Sequence, residues 1–226
     1  MRRILAVVST ALLLTSCNKV GQKFDQRNSG SPGAATSSSA GNSSTTTTGG
    51  PTSADATGGE VAEKPNPTAA QKAAIEGGEE VKWDQQGMSW TLPKGWVKDN
   101  AGNNSFNYRS PGGGDFGFLI VNVSPMGADF PVDVSLKAYY DQSITRKKNG
   151  ELEDVRWMEL DGVKGILFRE AMPEGKEDPR RLQWIAYRKY AGQTQMVNLM
   201  LSTKGRSFEK DEDTFYGIIY STKLVH

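Results

Sequence analysis

The chain has 226 residues, with 27 Lys and Arg against 26 Asp and Glu, and a formal charge of +1 that falls to about −1 once a leader carrying Arg2 and Arg3 is removed. A nearly neutral protein has no long-range field with which to gather nucleic acid, so that class of partner is not expected. A single cysteine and a single histidine exclude an internal disulfide, a thiolate-bound zinc or iron–sulfur site and a His-rich metal site, and no cofactor is expected.

Residues 1–16 read as a lipoprotein signal peptide. Arg2 and Arg3 give a positive start, residues 4–14 an apolar run, and Leu14-Thr15-Ser16-Cys17 a lipobox, cut once the cysteine is acylated. An apolar run of about 11 residues is well short of the ~20 needed to cross a bilayer. Cys17 is therefore the expected lipidation site, receiving a diacylglyceryl group and, in many bacteria, an amide-linked chain. Each buried methylene adds about 0.8 kcal/mol, and two or more chains hold where one is marginal. The expected location is the bacterial cell envelope, anchored by lipid and facing the periplasm or the exterior. In the Gram-negative sorting scheme that this lipobox resembles, Asp after the cysteine retains a protein at the inner membrane, and Asn18 points instead to the outer one.

Residues 17–65 form the expected tether. From 28 to 59 the chain is almost wholly Gly, Ser, Thr, Ala, Asn and Pro, and such a segment buries too little to offset its ordering entropy. Over about 50 residues its root-mean-square span is near 40 Å, with an extended limit on the order of 170 Å. Its Ser and Thr also permit O-glycosylation.

A single folded domain is expected over residues 66–226. Residues 68–76 read as a short helix, with Thr68 and Gln71 at capping-box spacing and Gly77-Gly78 as the stop. Met88, Trp90 and Leu92 then share one face of a strand ending at Pro93-Lys94-Gly95-Trp96. Phe106-Asn107-Tyr108 begins another, and a Gly-rich turn at 111–115 leads into an apolar strand over 116–123. Residues 135–148 predict an amphipathic helix with Leu136, Tyr139, Tyr140 and Ile144 on one stripe, Arg146, Lys147 and Lys148 at its C-terminal end, and Asn149-Gly150 closing it. Strands 155–160 and 163–170 flank Asp161-Gly162, a strong two-residue turn signal. Strands 182–190 and 196–202 flank Ala191-Gly192-Gln193. A last helix is predicted over 208–224, with Phe215, Ile218 and Ile219 on one side and Glu209, Asp211, Glu212 and Asp213 in its first turns. The sum is α+β: an antiparallel sheet of about six to eight strands with two main helices.

This order resembles the PsbP-like superfamily, which includes DcrB-type bacterial envelope lipoproteins. The matching residues are Leu92-Pro93-Lys94-Gly95-Trp96, Ser135-Leu136 opening the helix, Asp161-Gly162 between strands, and Phe208 with residues 215–221, within a stretch from about 81 to 224. The resemblance implies an α-β-α sandwich and a binding or assembly role, with no shared catalytic motif to carry over.

The search for chemistry yields few candidates. His226 is terminal, which removes a placed base for Ser-His-Asp or Cys-His catalysis, and no Gly-x-Ser-x-Gly elbow occurs. Glu209 to Asp213 lack the calcium-loop pattern, and Glu151, Glu153 and Asp154 read as solvated surface. Glu159, Asp161 and Glu170 are a weak candidate for a glycosidase-like acid pair. The Gly-rich turn has no P-loop sequel. Arg180, Arg181, Arg188, Lys189, Lys204 and Arg206 read as dispersed charge or, if gathered, a site for anionic headgroups or an acidic partner. Met158, Met172, Met196 and Met200 read as packing, since no His or Cys joins them.

Five tryptophans are many for one small domain, and strand alternation predicts that some line a groove suited to a sugar ring, a peptide or another protein. Trp83, just before the expected sheet, and Trp157, alternating with polar neighbours, are the expected exposed contacts. The expectation is a lipid-anchored module that binds or scaffolds an envelope protein or glycan. The alternatives are a carboxylate-based hydrolase of cell-wall material and a purely structural component.

Overall fold

The computed structural model describes residues 61–225; the expected signal peptide, Cys17, most of the expected tether and His226 lie outside the described residues. Ordered pairing begins within the stretch that composition assigns to the tether. Glu63 bridges Met158 in parallel, its N–H donating to the Trp157 carbonyl at 3.0 Å and its carbonyl accepting from Glu159 at 2.8 Å. Helix α1 (Ala69–Ala74) follows. The Thr68 hydroxyl accepts from the Gln71 N–H at 3.2 Å and the Gln71 side chain accepts from the Thr68 N–H at 3.0 Å, completing the capping box. Six residues do not hold a helix alone, and α1 docks on α3 (Gly205–Tyr220). Gly217 allows the approach, because a Cβ there would stand 2.6 Å from the Gln71 carbonyl oxygen.

The strands form two antiparallel sheets among the described residues. Strands β1 (Glu79–Trp83), β2 (Met88–Leu92) and β10 (Lys223–Leu224) make a small sheet in the order β1-β2-β10. Strands β3 (Val97–Ala101), β4 (Ser105–Arg109), β5 (Phe118–Pro125), β6 (Leu152–Leu160), β7 (Val163–Glu170), β8 (Pro179–Tyr190) and β9 (Gln193–Lys204) make a seven-stranded sheet in the order β3-β4-β5-β9-β8-β7-β6. Two hairpins pin its register. Asp161 and Gly162 have φ of 48° and 85°, and Ala191 and Gly192 have φ of 49° and 79°, so both turns take the doubly left-handed form that follows the twist of the flanking strands.

Helices cover both faces of this sheet, the layering expected of an α+β sandwich. On one side α2 (Val132–Lys148) lays Leu136, Tyr139, Tyr140 and Ile144 over Val155, Trp157, Ile166, Phe168 and Ile185. On the other, α3 and the small sheet close the main core around Trp90, Trp184, Leu199, Phe208, Phe215 and Ile218. Trp184 lies over Gly165, where a Cβ would approach its ring to 2.6 Å, and donates to the Met158 carbonyl at 3.1 Å.

Three local expectations change. The sheet does not start at Met88, since β1 pairs with β2 from Glu79↔Leu92 to Trp83↔Met88. The final segment is not one helix to residue 224: α3 stops at Tyr220 and the chain turns into β10. Because α3 begins at Gly205, its first turn holds no acidic residue, and Glu209 to Asp213 lie further along.

Candidate functional site

The tryptophans sort differently from the sequence reading. Trp83 is 3% and Trp157 7% exposed, so neither presents a surface. Trp83 ends β1 and turns inward onto Phe106, with ring centroids 4.6 Å apart, because the small sheet stacks against β4. Trp157 does alternate with polar neighbours, but α2 covers that face and Tyr140 stacks on its indole at 4.4 Å and 14°. Trp90 and Trp184 are fully buried. Only Trp96, in the turn after β2, keeps a partly exposed ring while resting against the core.

Trp96 forms part of two hollows. The larger, of about 640 Å³, runs from Gly77-Gly78 along Glu79, Glu80, Val81 and Lys82 to the turn at residues 92–96, with Lys98 and Tyr108 opposite. Its size falls within the range of small-ligand and peptide pockets. The smaller, of about 190 Å³, shares Pro93, Lys94 and Trp96 and adds Ser110, Asp211 and Phe215.

The chemistry of the larger groove is mixed. At its floor Tyr108 is 7% exposed and packs edge-on to Trp90 at 6.4 Å, and its hydroxyl makes no hydrogen bond among the described residues. Burial, and then the nearby Glu79 carboxylate, push this phenol above its ordinary pKa, so it remains a neutral donor and acceptor. Around the rim Lys82 is paired to Glu80 at 3.3 Å and Lys98 sits 4.3 Å over the Phe106 ring, which leaves Lys94 without an ion pair among the described residues. In the smaller hollow burial raises the Asp211 pKa.

The charged groups singled out in the sequence are engaged elsewhere. Glu159 pairs with Lys64 at 3.6 Å, Asp161 accepts from the Leu224 N–H at 2.7 Å and Glu170 pairs with Arg181 at 3.0 Å, so they do not form a facing acid pair. Glu212 pairs with Arg169, and Glu153 with Arg169 and Arg180. The basic residues of β8 and β9 split between the two ends of the hairpin. Lys204 and Arg206 meet Asp115 at 3.0 and 2.7 Å, whereas Arg188 is buried at the far end and donates to the Gln86, Gly87 and Val225 carbonyls. Among the described residues no three His, Cys, Asp or Glu side chains gather to hold a metal.

No protein-family model matches the sequence. No curated protein matches it either. Solved structures do resemble the fold at low identity. Cyanobacterial PsbP from Synechocystis sp. PCC 6803 is 13% identical, over 65% of this chain and 92% of that protein, with a TM-score of 0.44. LpqN of Mycobacterium tuberculosis, described as involved in cell envelope biogenesis, is 12% identical over 67% of this chain and 87% of its own, with a TM-score of 0.49. A Bacteroides thetaiotaomicron protein is 12% identical over 66% of this chain with a TM-score of 0.41, and the chain spans about half of that protein's length, 49%.

Proposed function

We propose that this chain is a lipid-anchored cell-envelope protein whose folded domain is a non-catalytic binding or assembly module. The anchor rests on the lipobox ending at Cys17. The binding role rests on the groove beside Trp96, where a partly exposed indole, an unpartnered phenol and an unpaired lysine converge on one concave surface. An apolar wall with a few convergent polar groups is what a binding pocket requires.

Each half has its own test. Replacing Cys17 with Ser should abolish incorporation of labelled fatty acid and release the protein from membranes; a Cys17→Ser protein that still incorporates label and stays membrane-bound ends the anchor reading. For binding, full-length protein should capture a component of detergent-solubilised envelope that Trp96→Ala does not, and equal capture by the two ends the assignment to this groove. Trp96 is surface-facing enough for Trp96→Ala to leave the circular dichroism spectrum unchanged. Turnover of a glycosidic or peptide bond by the purified chain would replace this reading with the carboxylate hydrolase.

A further inference from the structure

The groove touches four consecutive residues of β1, Glu79 to Lys82. Successive side chains of a strand point to opposite faces, so a hollow that lies over one face meets every second residue. Contact with all four places this hollow along the edge of the strand. That edge is free: in the order β1-β2-β10, β1 pairs only with β2 among the described residues, which leaves a row of backbone N–H and C=O groups toward the groove.

Resting on the binding reading above, we propose that the groove takes an extended segment of a partner polypeptide as an added antiparallel or parallel strand on β1, with one of its side chains held against Trp96. Main-chain hydrogen bonds along β1 give such a mode its affinity, and a flanking pocket gives it selectivity. The Tyr108 hydroxyl, at the end of a buried ring and without a hydrogen bond among the described residues, supplies a donor and acceptor to the groove. Charge complementarity narrows the occupant. Glu80 and Lys82 pair, Glu79 and Lys94 stand at the rim without an ion pair among the described residues, and Lys98 adds one further positive charge, so the lining carries a net +1 and a neutral or weakly acidic segment fits best. β1 is five residues long, which sets the length of chain it can pair.

The test uses the full-length protein against a displayed library of random dodecapeptides. Enriched peptides should slow hydrogen exchange of the amides of residues 79–83, bind Trp96→Ala about ten-fold or more weakly, and bind Tyr108→Phe several-fold more weakly with an unchanged melting temperature. Peptides that enrich without protecting those amides overturn the added strand and leave a binding module of another kind. Enrichment of none, with a neutral tetrasaccharide instead perturbing Trp96 fluorescence, overturns the polypeptide in favour of a glycan. Enrichment of none, with capture of envelope components indifferent to Trp96→Ala, removes both the strand and the binding reading.

Discussion

At the scale of single residues, burial separates tryptophans that the sequence treats alike. Trp157→Ala and Trp83→Ala should each cost about 3–5 kcal/mol in urea unfolding, the range for emptying a large buried site, whereas Trp96→Ala should cost much less. A near-zero cost at Trp157 would mean that α2 does not cover it. Ala191 offers the opposite sign. Its φ of 49° is left-handed, which costs a residue with a Cβ roughly 1 kcal/mol, and Asn tolerates that region. Ala191→Asn should therefore raise stability by about 0.5–1 kcal/mol, read as a higher urea midpoint. Asp115 gives a pH signature: hydrogen bonds from Lys204 and then Arg206 hold its carboxyl down at about 2 against an ordinary 3.8. A depressed folded value means stability that is present above pH ~4 and is lost as the pH falls through about 2. Asp115→Asn should flatten the acid side of the melting-temperature profile; an unchanged profile would assign the acid loss to other carboxylates. The pattern in the sequence could identify the Trp pairings with neither Phe106 nor Tyr140, because alternation tells which side of a strand a residue takes and not what covers that side.

Elements with strong local signals were legible, and those that exist through tertiary contact were not. The hairpin turns, the capping box at Thr68 and the apolar strand leading into Val123 follow from turn chemistry and periodicity. Strand β1 does not, since Glu-Glu-Val-Lys-Trp carries little apolar pattern, and β10 is two residues long. Both persist because β2 lies between them. The candidate groove was illegible for the same reason, as its edge belongs to β1 and its wall to Trp96, a residue the sequence presents only as the end of a turn. Arg188 shows how the elements are joined. Its guanidinium, buried with a pKa lowered by that burial, has carbonyls for partners and ties the β8–β9 hairpin to the 86–87 turn and to the end of β10. Arg188→Met keeps the apolar stem and leaves the Gln86 and Val225 carbonyls without their partner, while that of Gly87 still accepts from the Val225 N–H at 2.9 Å, which should cost on the order of 2–4 kcal/mol. Unfolding of the small sheet ahead of the large one, seen as early hydrogen exchange in β2, is the accompanying expectation. Retained stability with slow exchange there would show that water replaces the guanidinium.

For the whole molecule, the first twenty described residues carry structure that their weakly apolar composition does not announce, and residues 61–65 among them fall in the stretch assigned to the tether. A chain starting at Val81 loses α1, the Glu63 bridge and the first two of the five residues of β1. It should be destabilised by several kcal/mol, since it loses the partly buried Ile75, worth about 1 kcal/mol of apolar burial, together with the α1 seat on α3 and the Glu63 pairing, and it should lose the groove. A chain starting at Val61 should match the full protein in urea, and a large difference between those two would give the earlier residues a structural share.

Glu63 lies outside β6, the far edge strand of the large sheet, six strand spacings or about 29 Å from β4 and Tyr108. Yet the chain that leaves Glu63 becomes α1 and then β1, so the strand bordering the groove is the third link in a series that starts at the N-terminal end of the described residues. Tension drawn along the chain toward Cys17 would load two backbone hydrogen bonds first, then the seat of α1 on Gly217, and only then the groove. Under the proposed anchor the Glu63 bridge would act as a mechanical fuse: a light tug would be spent on it, while a pull strong enough to strip α1 would take apart one wall of the groove and release a segment paired there.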